Sequence, residues 1–189
     1  VESELRVARG IQTSLLPRNF PDDDAFELHA INLSAKQVAG DFFDFFRRDD
    51  GTLVVIMADV SGKGVPAALY MAVARTVLRH VCTTHDALGS AMTVANEILE
   101  ENQLGSMYVT LFIGWYDTST GEMRYVNAGH PPPYRIDPSG TITPFGEVTG
   151  TVLGLLPGRT YTERREELAP GDRLVFFTDG VPEAETADE

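Results

Sequence analysis

The sequence predicts an α+β fold, with two antiparallel sheets and a helical layer on at least one outer face. Two observations lead there. Strand signals come first, two amphipathic helices follow, and a long series of short strands separated by turn residues ends the chain. The apolar run Leu53-Val54-Val55-Ile56-Met57 shows no alternation, as expected of a strand covered on both faces. At 189 residues, 43% hydrophobic and 23% charged, the chain suffices for one domain with a substantial core.

Residues 1–16 read as a helix that Pro17 stops. Val1, Leu5, Ala8 and Leu15 share a heptad-like stripe that Gln12 interrupts. That stripe fits a surface helix packed on the domain. It also fits a linker helix from an upstream sensor module, with a homodimer seam along it. The chain is accordingly divided into a linker or regulatory helix at 1–16 and a main domain at 17–189.

Phe20 to Asp24 is a polar connection, and Phe26 to Ala35 alternates as a first strand. Phe42 to Arg48 pairs with Leu53 to Asp59 across the turn Asp49-Asp50-Gly51-Thr52. A helix over Val65 to Thr83 places Leu69, Val73, Val77 and Val81 on one face, and a second over Ala87 to Gln103 does so with Leu88, Met92, Ala95 and Leu99. The two form an antiparallel pair covering one sheet. The remaining strands are Tyr108 to Tyr116, Gly121 to Asn127, Pro133 to Asp137, Thr141 to Phe145, Arg159 to Leu168 and Arg173 to Thr178.

Formal net charge is −13, which argues against nucleic acid and against an anionic membrane surface, since both reward clustered Lys and Arg. The single Cys82 excludes an internal disulfide and a multi-Cys zinc site, and its helical context suggests a buried hydrophobe. No apolar run approaches membrane-span length and no secretory leader opens the sequence, so a cytoplasmic location is expected.

The chemistry concentrates in acidic residues at strand tips. Asp59 ends the apolar strand just before Gly62 and Gly64, whose missing Cβ atoms allow close backbone approach. Pro66 then suits the first turn of a helix. Taken alone, Asp59 could simply cap that turn. Gly40-Asp41 at the entry to an aromatic strand and Asp179-Gly180 after Leu174 to Thr178 repeat the design. Three such carboxylates form a poor core and a suitable set of hard oxygen ligands for Mg²⁺ or Mn²⁺. Asp44 either joins them or serves the strand end.

The sequence thereby resembles the bacterial PPM/PP2C-type serine/threonine phosphatases of the RsbU and SpoIIE group. The resemblance rests on Ile11 to Pro17, Gly40-Asp41, Asp59 to Gly64, Met107 to Phe112, Asn127-Ala128-Gly129-His130-Pro131-Pro132-Pro133, and Pro170-Gly171-Asp172 through Asp179-Gly180, in the family's order. It implies a PP2C-like β-sandwich of two antiparallel sheets flanked by helix pairs, with metals at one end.

The resemblance also implies an activity, a metal-dependent serine/threonine phosphoprotein phosphatase in which metal-activated water attacks phosphorus. Two ions about 3.5–4 Å apart would neutralise the phosphate and activate that water. Asp59 would bridge them, the Val60 carbonyl and Asp179 would be further ligands, and Asp41 would act directly or through water. The implied substrate is a phosphorylated anti-sigma-factor antagonist in a stress or developmental switch.

Other residues are weighed against plainer roles. Lys63 either meets the phosphate or is a solvated loop cation. His130 is either a catalytic acid or a hydrogen-bonded turn histidine. His29, His80 and His85 lack metal-ligand spacing, and Gly62-Lys63-Gly64 lacks that of a phosphate-binding P-loop. Relative to the family pattern, Ala39 replaces a Gly and Pro182 a Thr. Family members also continue to a last strand bearing another metal-binding Asp, and Asp188 stands too close to Asp179 for that position, so the C-terminal part of the domain is expected to be missing. The competing readings are a non-catalytic binding module and a hydrolase of small phosphoesters.

Overall fold

The computed structural model describes residues 2–33, 38–102 and 105–182. Asp188, Gln103 and the Ser34-Ala35 end of the expected first strand lie outside the described residues.

Helix α1 (Glu2–Leu15) turns Leu5, Ala8, Gln12 and Leu15 toward the domain and leaves Val7 and Ile11 exposed. Strands β1 (Phe42–Arg47) and β2 (Leu53–Val60) pair antiparallel, Arg47 facing Leu53, across the expected turn. Helices α2 (Val65–Thr84) and α3 (Leu88–Glu101) follow. Strands β3 (Val109–Tyr116), β4 (Glu122–Ala128), β5 (Tyr134–Ile136), β6 (Ile142–Pro144), β7 (Arg164–Glu167) and β8 (Arg173–Val175) complete the chain order. They form a five-stranded sheet, β1-β2-β3-β4-β7, and a three-stranded sheet, β6-β5-β8, both antiparallel.

The central strands are covered on both faces because alternate side chains enter different cores. Val54, Ile56, Ala58 and Val60 of β2, with Leu111, Ile113 and Trp115 of β3, pack beneath the α2–α3 pair. Val55, Phe112, Met123, Tyr125, Phe145, Leu174 and Phe176 fill the space between the sheets. There Phe112 stacks on Tyr125 at 5.5 Å between ring centroids. Cys82 is buried and its thiol is pushed up to about 12, chiefly by desolvation, so it packs as a hydrophobe.

The structure corrects four local expectations. In α2, Leu69 (60% exposed) and Val73 (42%) face outward, while Ala67, Tyr70, Met71, Ala74, Leu78, Val81 and Cys82 are buried. A stripe spaced strictly by four drifts about 40° per step around a helix, and the small Ala67 and Ala74 let the backbone approach its neighbours. Phe26 to Leu33 alternates in burial but makes only the bridge Asp23–Phe26, because no strand runs beside it among the described residues. Arg159 to Glu163 leaves the ladder so that Tyr161 can enter the core, and Glu163 accepts a bond from the Leu88 amide at 3.0 Å. Strand β8 stops at Val175; in the β5–β8 register, Phe176 to Thr178 would face Pro133 to Pro131, which have no N–H to donate.

Asp44, 1% exposed, points from β1 toward α2. Its carboxylate accepts from Arg79 Nε at 2.6 Å and Nη2 at 2.8 Å, and Arg75 Nε lies 3.1 Å away. Asp44 therefore serves the packing of α2 on β1. Asp44→Ala would leave two guanidinium groups without their buried counter-charge, and we expect a loss of about 3 kcal/mol in unfolding free energy by urea denaturation.

Candidate metal centre

Asp41, Asp59 and Asp179 come from three distant parts of the chain, yet each offers a carboxylate oxygen within 4.8 Å of the others. Asp59 sits one residue from the end of β2, opposite Thr110 of β3. The pairing continues past it, since Ser61 N donates to the Tyr108 carbonyl at 2.9 Å and Ser61 Oγ accepts from Tyr108 N at 2.9 Å. Its backbone is thus held on both sides. Asp41 immediately precedes β1, and Asn32 Nδ2 donates to its carbonyl at 3.0 Å. Asp179 lies beyond β8 and is exposed, while Asp41 and Asp59 are half-buried. Thr178 donates its hydroxyl to Asp41 Oδ2 at 3.0 Å, tying the third segment to the first.

Gly40 explains how the first segment comes so close to β2. A Cβ at this position would lie 2.6 Å from the Val60 carbonyl oxygen and 3.2 Å from Asp59 Oδ1. Only glycine leaves that room. The donor set of three carboxylates has the oxygen chemistry of a Mg²⁺ or Mn²⁺ site. The residues present therefore fit a hard divalent cation. Lys63 is exposed on the loop after Ser61, between Gly62 and Gly64, both with positive φ, of which Gly64 caps α2.

His130 occupies the turn after β4 and is 2% exposed. Its Nε2 lies 3.1 Å from the Phe177 carbonyl and its Nδ1 3.0 Å from Thr110 Oγ1. A carbonyl can only accept, so Nε2 carries the proton and Nδ1 accepts from the threonine. The His130 amide donates to Asn127 Oδ1 at 2.9 Å. Burial pushes the imidazole below its ordinary value, against the pull of the Phe177 carbonyl and the charges of Asp41 and Asp179. A neutral, hydrogen-bonded turn histidine is the outcome.

Sequence reasoning missed Gln12, which it treated as a gap in an apolar stripe. The side chain makes two bonds to one residue, Nε2 donating to the Ala39 carbonyl at 2.6 Å and Oε1 accepting from the Ala39 amide at 3.1 Å. Ala39 adjoins Gly40-Asp41. A polar residue on the inward stripe of a helix was the available signal. Thr110 and Thr178 carried no signal, because their partners are set by tertiary register.

The family described as Stage II sporulation protein E (SpoIIE) matches residues 49–189. Phosphoserine phosphatase RsbU of Bacillus subtilis (strain 168) is 31% identical over 186 residues, covering 98% of this chain and 55% of that protein. The chain thus spans about half the length of this relative. The solved RsbU and RsbW domains of a Mycobacterium tuberculosis protein superpose with a TM-score of 0.70 at 32% identity, over 80% of this chain and 42% of that one. The PP2C phosphatase domain of SpoIIE from Bacillus subtilis superposes with a TM-score of 0.68 over 80% of this chain and 45% of that one; at 18% identity this shows the fold alone.

Gly40→Ala tests the close approach. The added methyl would push Asp41 away from Asp59, and we expect Mn²⁺ affinity to fall at least about tenfold by calorimetric titration, with far-UV circular dichroism unchanged.

Proposed function

The chain belongs to the Stage II sporulation protein E (SpoIIE) family, and on that premise we propose that it is a Mg²⁺- or Mn²⁺-dependent serine/threonine phosphoprotein phosphatase of the PPM/PP2C type. The observation that carries this reading is the convergence of Asp41, Asp59 and Asp179 within 4.8 Å. Likeness to a protein named phosphoserine phosphatase supports the reaction class.

In this reading Asp59 is the central ligand, and Asp41, Asp179 and the Val60 carbonyl complete the set that this chain contributes. Divalent ions bound there would supply charge neutralisation for a phosphate dianion and a water activated near neutral pH. The chain's own work is to hold its carboxylates in register: β2–β3 pairing fixes Asp59, the Gly40 contact seats Asp41, and Thr178 links Asp41 to the Asp179 segment. Lys63, exposed beside the glycines, is assigned to meet the phosphate. The substrate is a phosphorylated anti-sigma-factor antagonist, and the setting is cytoplasmic. Among the described residues no helix is long and apolar enough to cross a membrane.

Helix α1 is assigned a regulatory role, joined to an upstream sensor domain and contributing to a homodimer. The Gln12–Ala39 pair supports this role, because it connects the helix to the backbone next to Asp41. Gln12→Leu removes both bonds, each worth about 1 kcal/mol. The expected result is Mn²⁺ binding weakened roughly tenfold, with a cooperative thermal transition retained; unchanged binding would remove α1 from the account of the site.

The activity itself is tested with a phosphoserine protein substrate and saturating Mn²⁺. We expect metal-dependent release of phosphate that falls at least about 100-fold in Asp59→Asn. Metal-independent turnover, or equal rates in the two proteins, would overturn the proposal.

A further inference from the structure

Asp179, whose neighbour Thr178 bonds Asp41 Oδ2, is held only in part by its own surroundings. It is exposed, it follows β8 by four residues, and the β5–β8 ladder that could position it has ended. In the register that pairs Tyr134 with Val175, Phe177 falls opposite Pro132. Proline has no N–H, so the ladder cannot bond the Phe177 carbonyl. The His130 side chain, one residue before the proline run, supplies the missing donor at 3.1 Å.

We propose that His130 is a positioning residue that replaces the absent ladder donor and thereby, together with the Thr178–Asp41 bond, sets where Asp179 stands relative to Asp41 and Asp59. The proposal rests on the metal-site reading of the three carboxylates.

The ring is well suited to this task. It is buried, and its other nitrogen is held by Thr110, the residue directly across the β2–β3 ladder from Asp59. Its own amide is fixed by Asn127, at the end of β4. One side chain therefore connects the strand beside Asp59, the turn after β4 and the segment leading to Asp179. Besides the Thr178–Asp41 bond, two further contacts hold that segment at its flanks. Phe176 packs between the sheets, and the Phe177 ring stacks on Tyr134 at 5.6 Å. Neither constrains the Phe177 carbonyl, which leaves its orientation to His130. No proton transfer is assigned to the imidazole.

Two conservative variants separate the roles of the two nitrogens. Asn places an amide oxygen where Nδ1 accepts from Thr110 but reaches no further. Gln carries an N–H out toward the Phe177 carbonyl, as Nε2 does. Mn²⁺ binding is measured from the electron paramagnetic resonance signal of the free ion, alongside unfolding by circular dichroism. His130→Asn should bind about tenfold more weakly than the wild type while still unfolding cooperatively, and His130→Gln should recover most of the affinity.

Thr110→Val provides a second route should His130→Asn fail to fold. Because the Thr110 hydroxyl also lies 3.5 Å from the Asp59 carbonyl, its loss should weaken binding in the wild type but add little in His130→Gln, which no longer presents a ring to orient. Wild-type affinity in His130→Asn, equal losses in the Asn and Gln variants, or an unaffected Thr110→Val would overturn the proposal. Wild-type protein that binds Mn²⁺ no better than Asp59→Asn would overturn the metal reading beneath it and the proposal with it.

Discussion

Three carboxylates held within 4.8 Å of one another are the constraint on which the local structure depends. Two like charges 4 Å apart repel by about 4 kcal/mol at the effective dielectric of a protein surface. An unsupported loop would relieve that repulsion by turning a side chain away. Here each carboxylate is carried by backbone with other commitments. Asp59 lies within a continuous two-strand pairing, and Asp41 is trapped between the Gly40 contact and the start of β1. Asp179 follows a threonine that bonds Asp41 directly. The scaffold thus holds in place a charge arrangement suited to a cation.

The rest of the fold supports the two strands nearest this site. Strand β1 is anchored to α2 by the buried Asp44 at one level and by Arg48 at another, where the guanidinium donates to the carbonyls of Cys82 and His85 and lies over the Trp115 ring. Strand β2 is sealed between two cores. Tyr161 closes a further layer, its single hydroxyl proton shared between the Val152 carbonyl and Asn96 Oδ1, which also accepts from the Gly154 amide. Hydrogen bonding keeps the buried Asn96 and Tyr161 side chains from costing stability.

Much of this was legible in residue order, and the failures have physical causes. The β1–β2 hairpin, the α3 face and most of the later strands follow local patterns of apolar spacing and turn chemistry. The three aspartates stood out because each ends or begins an apolar strand. What could not be read depends on contacts between distant segments. The inward face of α2 includes Ala67 and Ala74, which carry little hydrophobic signal, beside Tyr70, Met71 and Leu78. Asp44 could equally join the ligands or serve the strand end until Arg75 and Arg79 were placed beside it. The role of Gln12 required knowing that Ala39 passes within reach of its amide.

Helix α3 carries a different implication, one about the order of assembly. Its N-cap residue, Ala87, has no side chain able to cap the helix, and the amide of Leu88 is bonded instead by Glu163, 75 residues later. As the chain leaves the ribosome, that first turn has no local partner for its free amides. It gains one only when the segment ahead of β7 has been synthesised and docked. Since closing so long a loop is entropically costly, the beginning of α3 belongs to the late-forming part of the domain, although the helix lies near the middle of the sequence.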